Sequence, residues 1–94
     1  MATARLVFRV HAIKRMFERR IGADDVGAVL ATGAVIEDYP DDFPYPSRLV
    51  LGWSGSRPVH VVAAYNARAQ ETIVVTVYEP DLIEWEPGFR RRRR

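Results

Sequence analysis

The chain has 94 residues, 48% of them hydrophobic and 28% charged, which suffices for one folded core and is too short for two. It contains no cysteine and only two histidines, far apart, so a disulfide framework and zinc-type ligand spacing are excluded, and neither a metal nor a cofactor is expected. The net charge of +2 hides a segregation. Arg5, Arg9, Lys14, Arg15, Arg19 and Arg20 precede an acidic stretch (Asp24, Asp25, Glu37, Asp38, Asp41, Asp42), and without Arg90 to Arg94 nine cations would face twelve acids. Residues 1–88 therefore read as a single globular domain and 89–94 as a disordered arginine-rich tail. Arginines interrupt the apolar run at the N-terminus, which predicts neither a signal peptide nor a membrane span and makes the cytoplasm the expected location.

Arg5 to Val10 alternates Leu6, Phe8 and Val10 with Val7 and two arginines, the pattern of a strand with one buried face. From His11 to Ile21 the period changes. Ile13, Met16, Phe17 and Ile21 fall on one side of a helix and predict its inward stripe, with Gly22 as the left-handed residue that stops it. On the other side His11, Arg15 and Glu18 form one row along the cylinder. That row is either a functional line of side chains or a solvated face held by an Arg15–Glu18 pair. A second helix follows, with Asp24 and Asp25 at the positive end of its dipole, Val26, Val29 and Leu30 inward, and Gly33 ending it. The two helices are expected side by side.

Ala34 to Asp38 predicts a short strand. The next stretch, with Pro40, Pro44 and Pro46, predicts a stiff loop whose Tyr39, Phe43 and Tyr45 either stack on bases or cover the core edge. From Ser47 onward SRLVLGWS, PVHVVAAYN and ETIVVTVYE form an antiparallel meander. If both hairpin loops are odd in length or bulged, Leu49, Leu51, Trp53, Val61, Val75 and Val77 share the face that meets the helices. The opposite face then carries Arg48, His60, Thr76 and Tyr78. It either receives an extended ligand or partner, or is covered by the C-terminal segment. Pro80 ends the sheet, Asp81 to Trp85 is expected as one helical turn, and Pro87-Gly88 releases the chain. The arginines that follow suit a phosphate backbone, a solubility tail, or the acidic 37–42 segment. The expected fold class is α+β: an N-terminal strand and two short helices packed on one face of an antiparallel sheet of three to five strands.

No glycine-rich phosphate loop or Ser-His-Asp order is present, so nucleotide hydrolysis and serine-type catalysis have no basis. Cleavage of RNA through its own 2'-hydroxyl suits what remains. A base removes the hydroxyl proton, cations stabilise the phosphorane and an acid protonates the leaving oxygen. His11, Glu18, Arg15, Arg48, His60 and Tyr78 supply those groups.

The segments HAIKRMFERRI, ADDVGAVLATGAVIEDYP and IVVTVYEPD resemble the bacterial family called domain of unknown function 4258, whose members open with His-Ala-x-x-Arg-Met and a nearby Arg. Here these are His11, Ala12, Arg15, Met16 and Arg19; the resemblance spans residues 11 to 81 and departs at Ala23, where many members carry a Ser or Thr N-cap. The family is similar to a distant branch of the RelE/ParE-like toxins. That implies two helices on an antiparallel sheet, a cognate antitoxin, and either cleavage of ribosome-associated mRNA or inhibition of gyrase without cutting. It singles out His11, Arg15, Arg19 and Tyr78. The expected function is a toxin-like protein of a toxin–antitoxin pair, a metal-independent endoribonuclease with His11, Arg15 and Tyr78 catalytic and Arg19, Arg48 and His60 binding RNA. The alternative is a non-catalytic binding module that inhibits a nucleic-acid enzyme or pairs with a partner protein.

Overall fold

A computed structural model describes residues 5–94. In chain order it contains β1 (Arg5–Phe8), α1 (Val10–Arg19), α2 (Ala23–Thr32), β2 (Ala34–Tyr39), β3 (Ser47–Ser54), β4 (Arg57–Asn66) and β5 (Glu71–Tyr78). The five strands make one sheet in the order β1-β5-β4-β3-β2, with both helices on one side, so the fold is α+β. β2 to β5 pair antiparallel, as the meander requires. β1 joins the far edge parallel to β5, which makes the sheet mixed. Among the described residues no helix is long and apolar enough to cross a membrane.

α1 stops two residues earlier than its apolar pattern suggests. Arg20 takes the left-handed conformation (φ 54°), and the Ile21 N–H donates to the Met16 carbonyl at 2.9 Å, closing the helix end while burying Ile21. Gly22 is not the left-handed residue. It is extended at the start of α2, where its N–H donates to Asp25 Oδ2 at 2.9 Å.

The inward side of α1 is Ala12 and Met16. Ile13 and Phe17, expected in the core, are 52% and 86% exposed. The apolar arc of this helix is wider than its support: α1 lies over β5, while α2 lies over β3 and β4, so the sheet covers one margin of the arc. The small Ala12, fully buried, lets the helix settle on that margin.

β3 faces the other way from the odd-loop expectation, and the cause is the parity of one turn. Ser54 pairs with Arg57 across the two-residue loop Gly55-Ser56, with Gly55 at φ 62°. An even loop pairs Val50 with Val61 and Gly52 with Val59, so Val50 and Gly52 meet the helices and Leu49, Leu51 and Trp53 turn away with His60. In β5 a bulge opposite Val62/Ala63 brings both Val74 and Val77, rather than Val75, to the helix side. His60 and Val61 do lie on opposite faces, as expected.

The second face is covered by the C-terminal segment, one of the two outcomes the sequence left open. Asp81 Oδ1 accepts the N–H groups of Ile83 and Glu84 at 3.0 and 2.9 Å, and the Trp85 N–H donates to the Asp81 carbonyl at 3.1 Å, forming the expected single turn. The chain then reverses at Pro87-Gly88 (Gly88 φ 91°) and Trp85 bridges Arg92. The arginine run is not the disordered tail expected over 89–94: it returns onto the sheet as the second limb of a short arm, and Arg92 reaches Glu37, the fold-back onto the acidic 37–42 segment that the sequence also allowed. Leu49, Leu51 and His60 lie beneath it, and Trp85 is 1% exposed.

Two glycines test these packing claims in opposite ways. A Cβ at Gly33 would stand 2.4 Å from the Val29 carbonyl oxygen and 2.6 Å from that of Leu51, both backbone atoms that cannot rotate away. Gly33→Ala should therefore lower the unfolding free energy by about 2–3 kcal/mol in a urea titration. Gly55→Ala meets nothing within 4 Å and carries only its backbone cost, about 1 kcal/mol. Equal losses at the two positions would contradict the close approach of α2 to β3.

Candidate functional site

The residues expected to act together are divided by the sheet. His11, Arg15 and Arg19 project from the exposed side of α1, on the helix face; Arg15 Nη1 meets Glu18 Oε1 at 3.3 Å with both side chains half exposed. Tyr78 and His60 lie on the opposite face, under the arm. The proposed catalytic set His11, Arg15 and Tyr78 therefore cannot address one phosphate, because a layer of backbone and core stands between them. Arg48 is separated too. The even hairpin loop puts it on the helix face opposite Ala63, where it is exposed and 3.6 Å from Asp38.

What the structure does bring together is a polar cluster beneath the arm. The His60 Nε2–H donates to the Phe89 carbonyl at 2.9 Å, which leaves Nδ1 to accept from the Tyr78 hydroxyl at 3.1 Å. The imidazole meets Trp85 edge to face at 4.4 Å and Tyr78 at 5.1 Å. Burial holds the His60 pKa below the ordinary imidazole value and pushes Tyr78 up to about 12. His60 is therefore neutral, with both nitrogens engaged, and neither is free to take a substrate proton.

Beside it Arg92 forks onto Glu37 (Nε to Oε2 3.0 Å, Nη2 to Oε1 3.2 Å) and lies 4.7 Å over the Trp85 ring, while the Tyr39 hydroxyl donates to Glu37. Burial alone would raise the Glu37 carboxyl, but those hydrogen bonds and the Arg92 charge outweigh it and hold the pKa low. Sequence reasoning had offered the acidic 37–42 segment as one home for the arginines, which Arg92 on Glu37 bears out, but it did not gather Glu37, Tyr39, Trp85, Phe89 and Arg92 around His60. The available signals were the alternation of Glu37 with Tyr39 along β2 and the Pro87-Gly88 turn, which reverses the chain rather than releasing it.

A second feature stands on α1. Val10, Ile13 and Phe17, at i, i+3 and i+7, form one stripe and are 82%, 52% and 86% exposed. Lys14 shares that side and Arg20 follows it. Among the described residues neither cation has an ion-pair partner. No group of three His, Cys, Asp or Glu side chains stands together as a metal site among the described residues.

Residues 8–79 match the model of the family described as Domain of unknown function (DUF4258). No curated protein and no solved structure matches the chain.

The buried imidazole has a pH signature. Because its folded pKa lies below its unfolded value of about 6.5, the unfolded chain is protonated first. Its contribution to stability is complete above that value and is lost as pH falls from there toward the folded value. The melting temperature should drop between about pH 7 and pH 5, whereas His60→Gln should start lower and stay level over that interval. Asp25, held low by its hydrogen bonds to Gly22 and Ser54, and Glu37 lose their contributions at more acidic pH, outside this window. Parallel slopes for the two proteins would reject the assignment.

Proposed function

We propose that this chain, which belongs to the DUF4258 family, is a non-catalytic binding module that pairs with a partner protein through the outer side of α1. The observation that carries this reading is the exposed Val10, Ile13 and Phe17 stripe with cations along it. Burying each such side chain is worth about 1.5–3 kcal/mol, and the fold leaves that area unused. The flanking Lys14 and Arg20 select the partner's sign. An amphipathic segment with apolar side chains on one face and carboxylates beside them satisfies both requirements. In the RelE/ParE-like toxin class that the sequence resembles, such a partner is the cognate antitoxin, and the non-cutting mode of that class accords with a helix row and a tyrosine kept on opposite faces of a sheet.

The product of an adjoining reading frame is the natural first probe. In a complex with that protein, Ile13→Asp combined with Phe17→Asp should weaken binding by about 100-fold or more, since truncating central apolar anchors costs about 2 kcal/mol each. Both positions are exposed, so the melting temperature should hold. His11→Ala and Arg15→Ala should leave affinity within a few-fold. An unaffected complex in the double variant would overturn the reading. So would RNA cleavage by the isolated chain, in excess chelator, that disappears in His11→Ala; this would restore the endoribonuclease expectation.

A further inference from the structure

The end of β3 and the returning arm leave one side chain that packing does not explain. Trp85 seals the second face, yet Trp53, on the same face, remains 49% exposed. Phe89 braces it edge to face, with ring centroids 6.1 Å apart and planes at 68°. The reversal at Gly88 carries Arg90, Arg91 and Arg94 to the same edge. They line a cleft of about 490 Å³ together with Arg92, Glu37 and Glu86. Arg90 also lines a second cleft, of about 290 Å³, that contains Trp53, so this side chain is common to the arginine cleft and the one that holds the indole. Arg92 neutralises Glu37. The remaining lining charges are Arg90, Arg91 and Arg94 against Glu86, and none of these three arginines has an ion pair among the described residues.

Guanidinium groups clustered beside an accessible aromatic ring satisfy two demands at once. The cations match phosphates, and the ring matches the flat face of an unpaired base. A duplex hides its base faces, and an acidic protein surface matches the cations without using the indole. We propose that Trp53, Arg90, Arg91 and Arg94 bind single-stranded nucleic acid, with phosphates in the arginine cleft and a base stacked on Trp53. This site lies across the sheet from α1 and does not depend on the partner-docking reading.

The experiment titrates the full chain with a short dye-labelled oligouridylate, reading affinity from the anisotropy of the dye and stacking from tryptophan emission. Trp85 is enclosed, so stacking on Trp53 should quench the exposed component. Trp53→Ala should weaken binding by about 10- to 100-fold, and Trp53→Phe, which retains a π face, should recover most of it. Replacing Arg90, Arg91 and Arg94 by alanine should lower the slope of log affinity against log salt by about two, as expected when three phosphates lose their cations. Heparin and polyglutamate, polyanions without bases, should bind more weakly and quench little. If heparin binds as tightly as the oligonucleotide and Trp53→Ala behaves like wild type, the arm is a general polyanion surface and the proposal fails. If polyglutamate binds best, the surface is one for acidic proteins. An oligonucleotide that binds without quenching would likewise remove Trp53 from the site.

Discussion

The edge-to-face contact of Trp85 with His60 is the interaction on which the cover over the His60 end of the second sheet face depends. Leu49, Leu51 and His60 face away from the helices, and the C-terminal arm covers them. An indole buries on the order of 150–250 Å², worth about 4–6 kcal/mol at the usual area coefficient. The other anchors of the arm include the Arg92 fork on Glu37, the Phe89 carbonyl on His60, the Phe89 ring on Trp53, and the short bridge between Trp85 and Arg92. His60 explains why the cover must be specific. A buried imidazole needs a partner for each nitrogen, and here one comes from β5 and the other from the arm itself.

Secondary structure was legible because the period of the hydrophobic pattern changes clearly between strand and helix. The order strand, two helices and meander followed directly, and so did the placement of His60 and Tyr78 away from the helices. Orientation was less legible. Whether Leu49 or Val50 faces the helices is decided by the parity of the Gly55-Ser56 turn, and a composition of Ser, Gly, Ser and Arg fits an even loop as well as an odd one. The helix stripe misled for a different reason. Ala12 is too small to stand out in an apolar pattern, yet it is the residue that lets α1 approach β5, and Phe17 stands out although nothing covers it. The arm was only partly legible: a covering C-terminal segment and the acidic 37–42 segment were each one of several readings, and what chose them, Glu37 with the carbonyls of Leu82 and Glu84, is set by tertiary structure.

The five-stranded sheet also acts as a partition. On one side α1 offers hydrocarbon and cations on a regular helix; on the other, a half-exposed indole and guanidinium groups stand on irregular backbone. The first arrangement suits another ordered polypeptide, and the second suits a flexible chain that can thread beside it. Because neither surface borrows side chains from the other, both can be occupied at once, and a substitution on one has no packed route by which to disturb the other.

The parallel pairing of β1 with β5 sets an order of events in the making of this protein. Arg5 ion-pairs with Glu71 across 66 residues, and α1 rests on the same strand β5. Of the strands described, β1 leaves the ribosome before the other four and must wait for β5, which leaves after them. The β3–β4–β5 meander closes through short turns, and β1 and α1 dock onto it once it exists. Until then all of the apolar arc of α1, the buried half included, stands open to water or to any passing acidic chain. A partner made nearby and at the same time would meet this helix in its most receptive state.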